Sequence, residues 1–169
     1  MTKSIDGKIK AIVIPTAGSV EEDLERARRA IQYSKENGLN VPYIISGIGP
    51  DTNVALGYQK SDKTELDFHE ELHEYIMNNT NGFVGMDILS VNSIQNVLNT
   101  FPEGTSGTYA IVSYPSHLKR FEKIMKKARE RGKISKDVEI AFVPTSQSLK
   151  QILYEVISAP IRKMAIKDI

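Results

Sequence analysis

The sequence predicts a single α/β domain over residues 1–169, a Rossmann-like three-layer sandwich with a mainly parallel sheet of about five strands. Two observations carry this reading. Short β-branched, apolar runs alternate five times with longer segments of helical period, without internal repeats, and that alternation builds parallel sheets covered on both faces. Polar and glycine-containing clusters fall where strands run out into helices, at Pro15–Ser19, Ser46–Pro50, Leu89–Asn96 and Ser113–Arg120. In such sheets ligands sit at the carboxyl ends of the strands, near the point where strand order reverses.

Ile9–Ile14 reads as the first strand, bounded by Pro15 and Gly18. Ser19 and Glu22 fit a capping box, each satisfying the other's backbone donor. The helix that follows turns Val20, Leu24, Ala27, Ile31 and Ser34 inward and stops at Gly38. Arg26 lies on it among Arg28, Arg29 and several glutamates, which predicts a solvated ion-pair face. Val41–Ile45 is the second strand, and the polar, aperiodic residues 50–64 predict a long loop at its exit. A helix over 65–78 carries Leu66, Leu72, Tyr75 and Ile76 inward and breaks at Asn78–Gly82.

Phe83–Leu89 is a third extended segment, and Ser90–Phe101 is a helix with Asn92 and Gln95 spaced as cap and partner. Tyr109–Val112 is the fourth strand. Its helix aligns Leu118, Phe121, Ile124, Met125 and Ala128 and ends at Gly132. Val138–Val143 is the fifth strand. A last helix runs from Ser146 past Ile157, with Pro160 as its kink or stop.

Composition removes several classes of function. A net charge of +1 argues against a dedicated nucleic-acid binder, and the basic run Lys126–Arg131 suits a helix carboxyl end. With no cysteine, disulfides, thiol catalysis and cysteine-ligated metals are excluded. No apolar run approaches the roughly 20 residues that span a bilayer, and Met1–Gly7 lacks the apolar core of a signal peptide. A cytoplasmic protein without membrane or nucleic-acid partners is the expectation.

The segment Ser113-Tyr114-Pro115-Ser116-His117-Leu118-Lys119-Arg120 carries the most chemistry. A strand that runs into a helix start leaves backbone N–H groups pointing outward, which suits an anion. His117 and Arg120 are three apart and share one face of the first turn. An imidazole with an unperturbed pKa of ~6.5 is a candidate general acid or base. Arg120 can grip a phosphate or carboxylate with two parallel hydrogen bonds, which Lys119 cannot reproduce. Ser113, Ser90 and Asn92 add short polar groups that would orient a ligand. Pro15-Thr16-Ala17-Gly18 lacks the G-x-G-x-x-G fingerprint, which weakens the case for a nicotinamide cofactor.

Four segments together resemble the YdcF/SanA-like family of Rossmann-like proteins, long described as a domain of unknown function. Asp87-Ile88-Leu89-Ser90-Val91-Asn92-Ser93-Ile94-Gln95-Asn96 resembles the family's acidic residue, Ser, Asn-Thr, Glu-Asn signature, with Ser93 for Thr and Gln95 for Glu. Val112–Arg120 resembles its Val-Thr-Ser-x-x-His-x-x-Arg segment, and Ser46-Gly47 its Ser-Gly-Gly turn, with Ile48 for the second glycine. The opening strand, Gly18 and Arg26 complete the resemblance over about residues 9–145. It implies a small-molecule site at the strand ends, with a nucleotide-like ligand and S-adenosylmethionine among the candidates. It places Asp87, Ser90, Asn92, Ser93, Asn96, Gly18, Ser46 and Gly47 beside His117, Arg120 and Ser113 as site residues. Gln95 removes a charge that the family carries, and Ile48 is bulkier than glycine.

His69-Glu70-Glu71-Leu72-His73 matches the H-E-x-x-H spacing that puts two zinc ligands and a general base on one helical face. The strand–helix alternation around it differs from zinc-protease architecture, and the third histidine, His117, lies in the other segment. No metal is expected from it, and a zinc-dependent hydrolase is the weakest alternative. The leading expectation is a protein that binds a small anionic or nucleotide-like molecule, as an enzyme or as a non-catalytic ligand-sensing module.

Overall fold

In the computed structural model, residues 8–16, 20–47, 65–87, 89–90, 93–149, 152–153 and 156–157 are described. Five parallel strands form one sheet: β1 (Ile9–Pro15), β2 (Tyr43–Ser46), β3 (Val84–Asp87), β4 (Gly107–Ser113) and β5 (Val138–Pro144), in the order β3-β2-β1-β4-β5. Four helices flank it: α1 (Val20–Glu36), α2 (Glu65–Asn79), α3 (Ser93–Thr100) and α4 (Pro115–Glu130). The α/β expectation holds.

The strands alternate their side chains between two apolar layers. Ile12 and Ile14 of β1, with Ala110 and Val112 of β4, join the cluster beneath α1 and α2. Val13 and Ile111, the residues between them, join the cluster beneath α3 and α4 with Val97, Phe101 and Phe121. Because both faces of β1 and β4 are covered, these strands read as unbroken apolar runs.

Several boundaries move for local reasons. β2 starts at Tyr43 rather than Val41 because Pro42 has no N–H to give the ladder. β3 keeps only four residues; it is an edge strand, and Phe83 and Leu89 stand exposed beyond its ends. α3 starts at Ser93, so Ser90 lies in the turn before it. α1 ends where the sequence places its stop. Gly38 takes φ +59°, with Gly38 N donating to Lys35 O and Leu39 N to Ser34 O, a Schellman closure. The last helix is seen at Leu149, 152–153 and 156–157, where Ile152 N donates to Ser148 O. Gly18, Ser19, Ile48, the 50–64 loop, Asn92 and the side chains of Val20, Leu66 and His69 lie outside the described residues.

The layer arrangement makes Ile14 and Met86 a useful contrast, since one is fully buried and the other is exposed on the edge strand. Ile14→Ala should cost about 2–5 kcal/mol in urea unfolding, whereas Met86→Ala should stay within about 0.5 kcal/mol of wild type.

Candidate functional site

The chain builds β1, β2 and β3 in one direction and then returns to place β4 on the other side of β1. α1 leaves β1 over one face and α4 leaves β4 over the other, so strand order reverses between these two strands, and their carboxyl ends are where sheets of this kind hold ligands. Ser113 closes β4, and His117 and Arg120 sit on the first turns of α4 beside it.

These residues form a hydrogen-bonded chain. His117 Nδ1 is 2.9 Å from Ser113 Oγ and its Nε2 is 3.2 Å from Ser93 Oγ. Arg120 Nε donates to the same Ser93 Oγ at 3.2 Å. The imidazole packs between Tyr114 and Phe121, with ring centroids 5.4 and 5.1 Å away. At 3% exposure it is a core residue as much as a site residue. Burial above all, then the positive charges of Arg120 and Arg26, hold its pKa well below the ordinary value of 6.5. His117 is therefore neutral at physiological pH. The guanidinium favours a chain of donors running away from it, from Arg120 to Ser93 to Nε2. That leaves Nδ1–H to donate to Ser113.

Arg26 corrects the expectation of a solvated face: it is 1% exposed. Ala27 and Ala30, both fully buried, bring α1 close to the sheet, and Arg26, next to the first and one turn before the second, shares that face, so its long side chain runs along the interface. Arg26 Nη1 donates to Pro15 O, the last carbonyl of β1, and its guanidinium lies 5.0 Å from the Tyr114 ring centroid. Asp23 approaches Nη1 at 3.8 Å. The Nε and Nη2 atoms are buried and have no hydrogen-bond partner among the described residues.

A second polar group ties β2, β3 and α3 together. Asp87 accepts from Ser90 Oγ, from Ser46 Oγ at 3.4 Å and from Leu89 N at 3.0 Å. Asn99 Nδ2 donates to Ser90 Oγ at 2.9 Å, Thr100 Oγ1 to Ser46 Oγ at 3.3 Å, and Gly47 N to Asp87 O at 3.0 Å. Asp87, Ser90, Ser46 and Gly47 are thus brought together as expected, but they bond chiefly to one another. Asn96 follows Ser93 by one turn, is buried, and leaves its Oδ1 without a partner among the described residues.

The amides at the start of α4 are mostly engaged. Pro115 has none, Ser116 N donates to Gln147 Oε1 at 3.3 Å, and Leu118 N donates to Tyr114 O at 3.1 Å. Gln147 also donates to Ser116 Oγ. The sequence reading missed Arg26, Tyr114 and Gln147 as parts of the site. The alanines at 27 and 30 were the available sign that this side of α1 lies tight on the sheet.

Elsewhere, a cavity of about 460 Å³ opens at the amino ends of the strands, between the ends of α1 and α2. Its polar walls are accounted for by helix ends: Ser34 Oγ donates to Leu39 O, Asn79 Nδ2 to Tyr75 O and Thr80 Oγ1 to Ile76 O. It lies away from His117, Arg26 and Arg120, and the site is assigned to the strand ends on that chemistry. Among the described residues no group of three His, Asp or Glu side chains could hold a metal ion, and no helix is long and apolar enough to cross a membrane.

Three outcomes follow from these geometries. A histidine whose folded pKa lies below its unfolded value contributes stability that is present above pH ~6.5 and lost as pH falls toward the folded value. The thermal midpoint should therefore drop on acidification from pH 7 to 5, less steeply in His117→Gln. Nitrogen-15 spectra at pH 7 should show neutral His117 as the Nδ1–H tautomer. Separately, Asp87→Ala strips the acceptor from Ser46, Ser90 and Leu89 N and should cost about 1–3 kcal/mol in denaturant unfolding. Comparison with protein-family models, with curated proteins and with solved structures found no match to this chain.

Proposed function

We propose that this protein binds a small anionic or nucleotide-like molecule at the carboxyl ends of β1 and β4. One observation carries the reading: two arginines from helices on opposite faces of the sheet, Arg120 through Ser93 and Arg26 through the Tyr114 ring, flank one buried histidine at the point where strand order reverses. Positive charge concentrated in a low-dielectric cleft attracts an anion strongly. The family resemblance to YdcF/SanA-like proteins belongs to the same proposal, as does S-adenosylmethionine as one ligand to test.

Within this reading Arg120 and Ser93 face the ligand, and His117 positions them. The imidazole has both nitrogens against serine hydroxyls and is almost wholly covered, which favours binding without turnover. A catalytic reading would use Ser93 Oγ as the reacting hydroxyl, with Nε2 taking its proton.

The test is a thermal-shift series with nucleotides, sugar phosphates, inorganic phosphate and S-adenosylmethionine. A ligand at 100 times its dissociation constant should stabilise the protein by about 2.7 kcal/mol, and Arg120→Ala should reduce that gain. No stabilisation by any of these compounds would refute the reading. Turnover of a bound phosphate or acyl ester that disappears in Ser93→Ala would replace the sensing role with the catalytic one.

A further inference from the structure

We propose that Arg26 anchors the ligand's anionic group, its Nε–Nη2 edge gripping two oxygens of a phosphate or carboxylate at the carboxyl ends of β1 and β4. This rests on those strand ends being the binding site and names the group there that holds the charge.

The argument begins with what a buried guanidinium requires. It carries five N–H donors in a planar fork, and burial without partners is costly unless each is matched. In Arg26 one end is matched: Nη1 has the Pro15 carbonyl, with Asp23 at 3.8 Å, and the flat face meets the Tyr114 ring. The opposite edge, where the Nε–H and one Nη2–H run parallel, has no acceptor among the described residues. Two parallel donors are the complement of two oxygens on one carbon or phosphorus. A chloride or a single carbonyl would have to be shared between them.

Position supports the same conclusion. Pro15 ends β1 and Tyr114 follows β4, so contacts to both place the buried guanidinium at the carboxyl ends of these strands. The competing donors are largely taken, since Gln147 occupies Ser116 N and Leu118 N closes the first helical turn. Arg120 already gives its Nε to Ser93. Arg26 offers a matched pair of donors for which no described residue supplies acceptors.

The experiment follows the arginine Nε–H signals of nitrogen-15-labelled protein during titration with inorganic phosphate and, separately, with acetate. The Arg26 signal should move saturably with at least one probe. Phosphate acting alone would assign a phosphate group, and acetate acting alone a carboxylate. Arg26→Lys keeps the charge but loses the fork and should weaken that probe about tenfold or more. Arg26→Met removes both the charge and the fork and should abolish binding. Movement at Arg120 with none at Arg26 would overturn the proposal and leave the binding site standing. No movement at either arginine with either probe would overturn both. A lower midpoint in Arg26→Met with probe affinity unchanged would assign Arg26 a structural role, and this too overturns the proposal.

Discussion

Everything at the carboxyl end of the sheet depends on β1 pairing with β4, two segments about one hundred residues apart in sequence. That pairing puts the return point of the chain at the centre of the sheet. The helices that leave the two strands then go to opposite faces, because right-handed crossovers that run outward in opposite directions from the centre lie on opposite sides of the sheet. The site is thus a consequence of connectivity, and its residues come from segments far apart in sequence.

The site divides into two chemically different halves. Beneath β2 and β3, a single carboxylate is surrounded by hydroxyls and an amide, so its charge is spread over short donors and the turn into α3 is held rigid. Beneath β1 and β4, positive charge is concentrated, with Asp23 3.8 Å from Arg26. Ser93 joins the halves, because it begins the helix held in place by the Asp87 group and also bonds to His117 and Arg120. A shift of α3 would therefore change the hydrogen bonding of the histidine directly.

The sheet was legible because its strands are buried on both sides and need no partner to be recognised: Ile12, Val13 and Ile14 read as core whichever way they face. The pair His117 and Arg120 was legible for a similar reason, since helical spacing alone places both beside Ser113. Arg26 was not. Its neighbours Arg28 and Arg29 carry the same charge, and only the packing of Ala27 and Ala30 against the sheet separates the buried one from the solvated ones. Gln147 was equally hidden, because it reaches Ser116 across 31 positions of sequence, a contact that exists only once β5 lies beside β4. The short β3 shows the opposite limit. Phe83 and Leu89 are apolar enough for a longer strand, but an edge position offers them nothing to pack against.

The central place of β1 has a consequence for how the chain is made. A ribosome adding about 5–20 residues per second releases β1 roughly 5–20 seconds before β4 has emerged. During that interval β1 can pair with β2 on one side only, and the apolar layer formed by Val13 lacks its cover from α4. Parallel pairing over long separations is also slow to close once both strands exist. The nascent protein thus spends its early life with its most apolar strand half dressed, which makes it a natural client for the chaperones that shield unpaired strands.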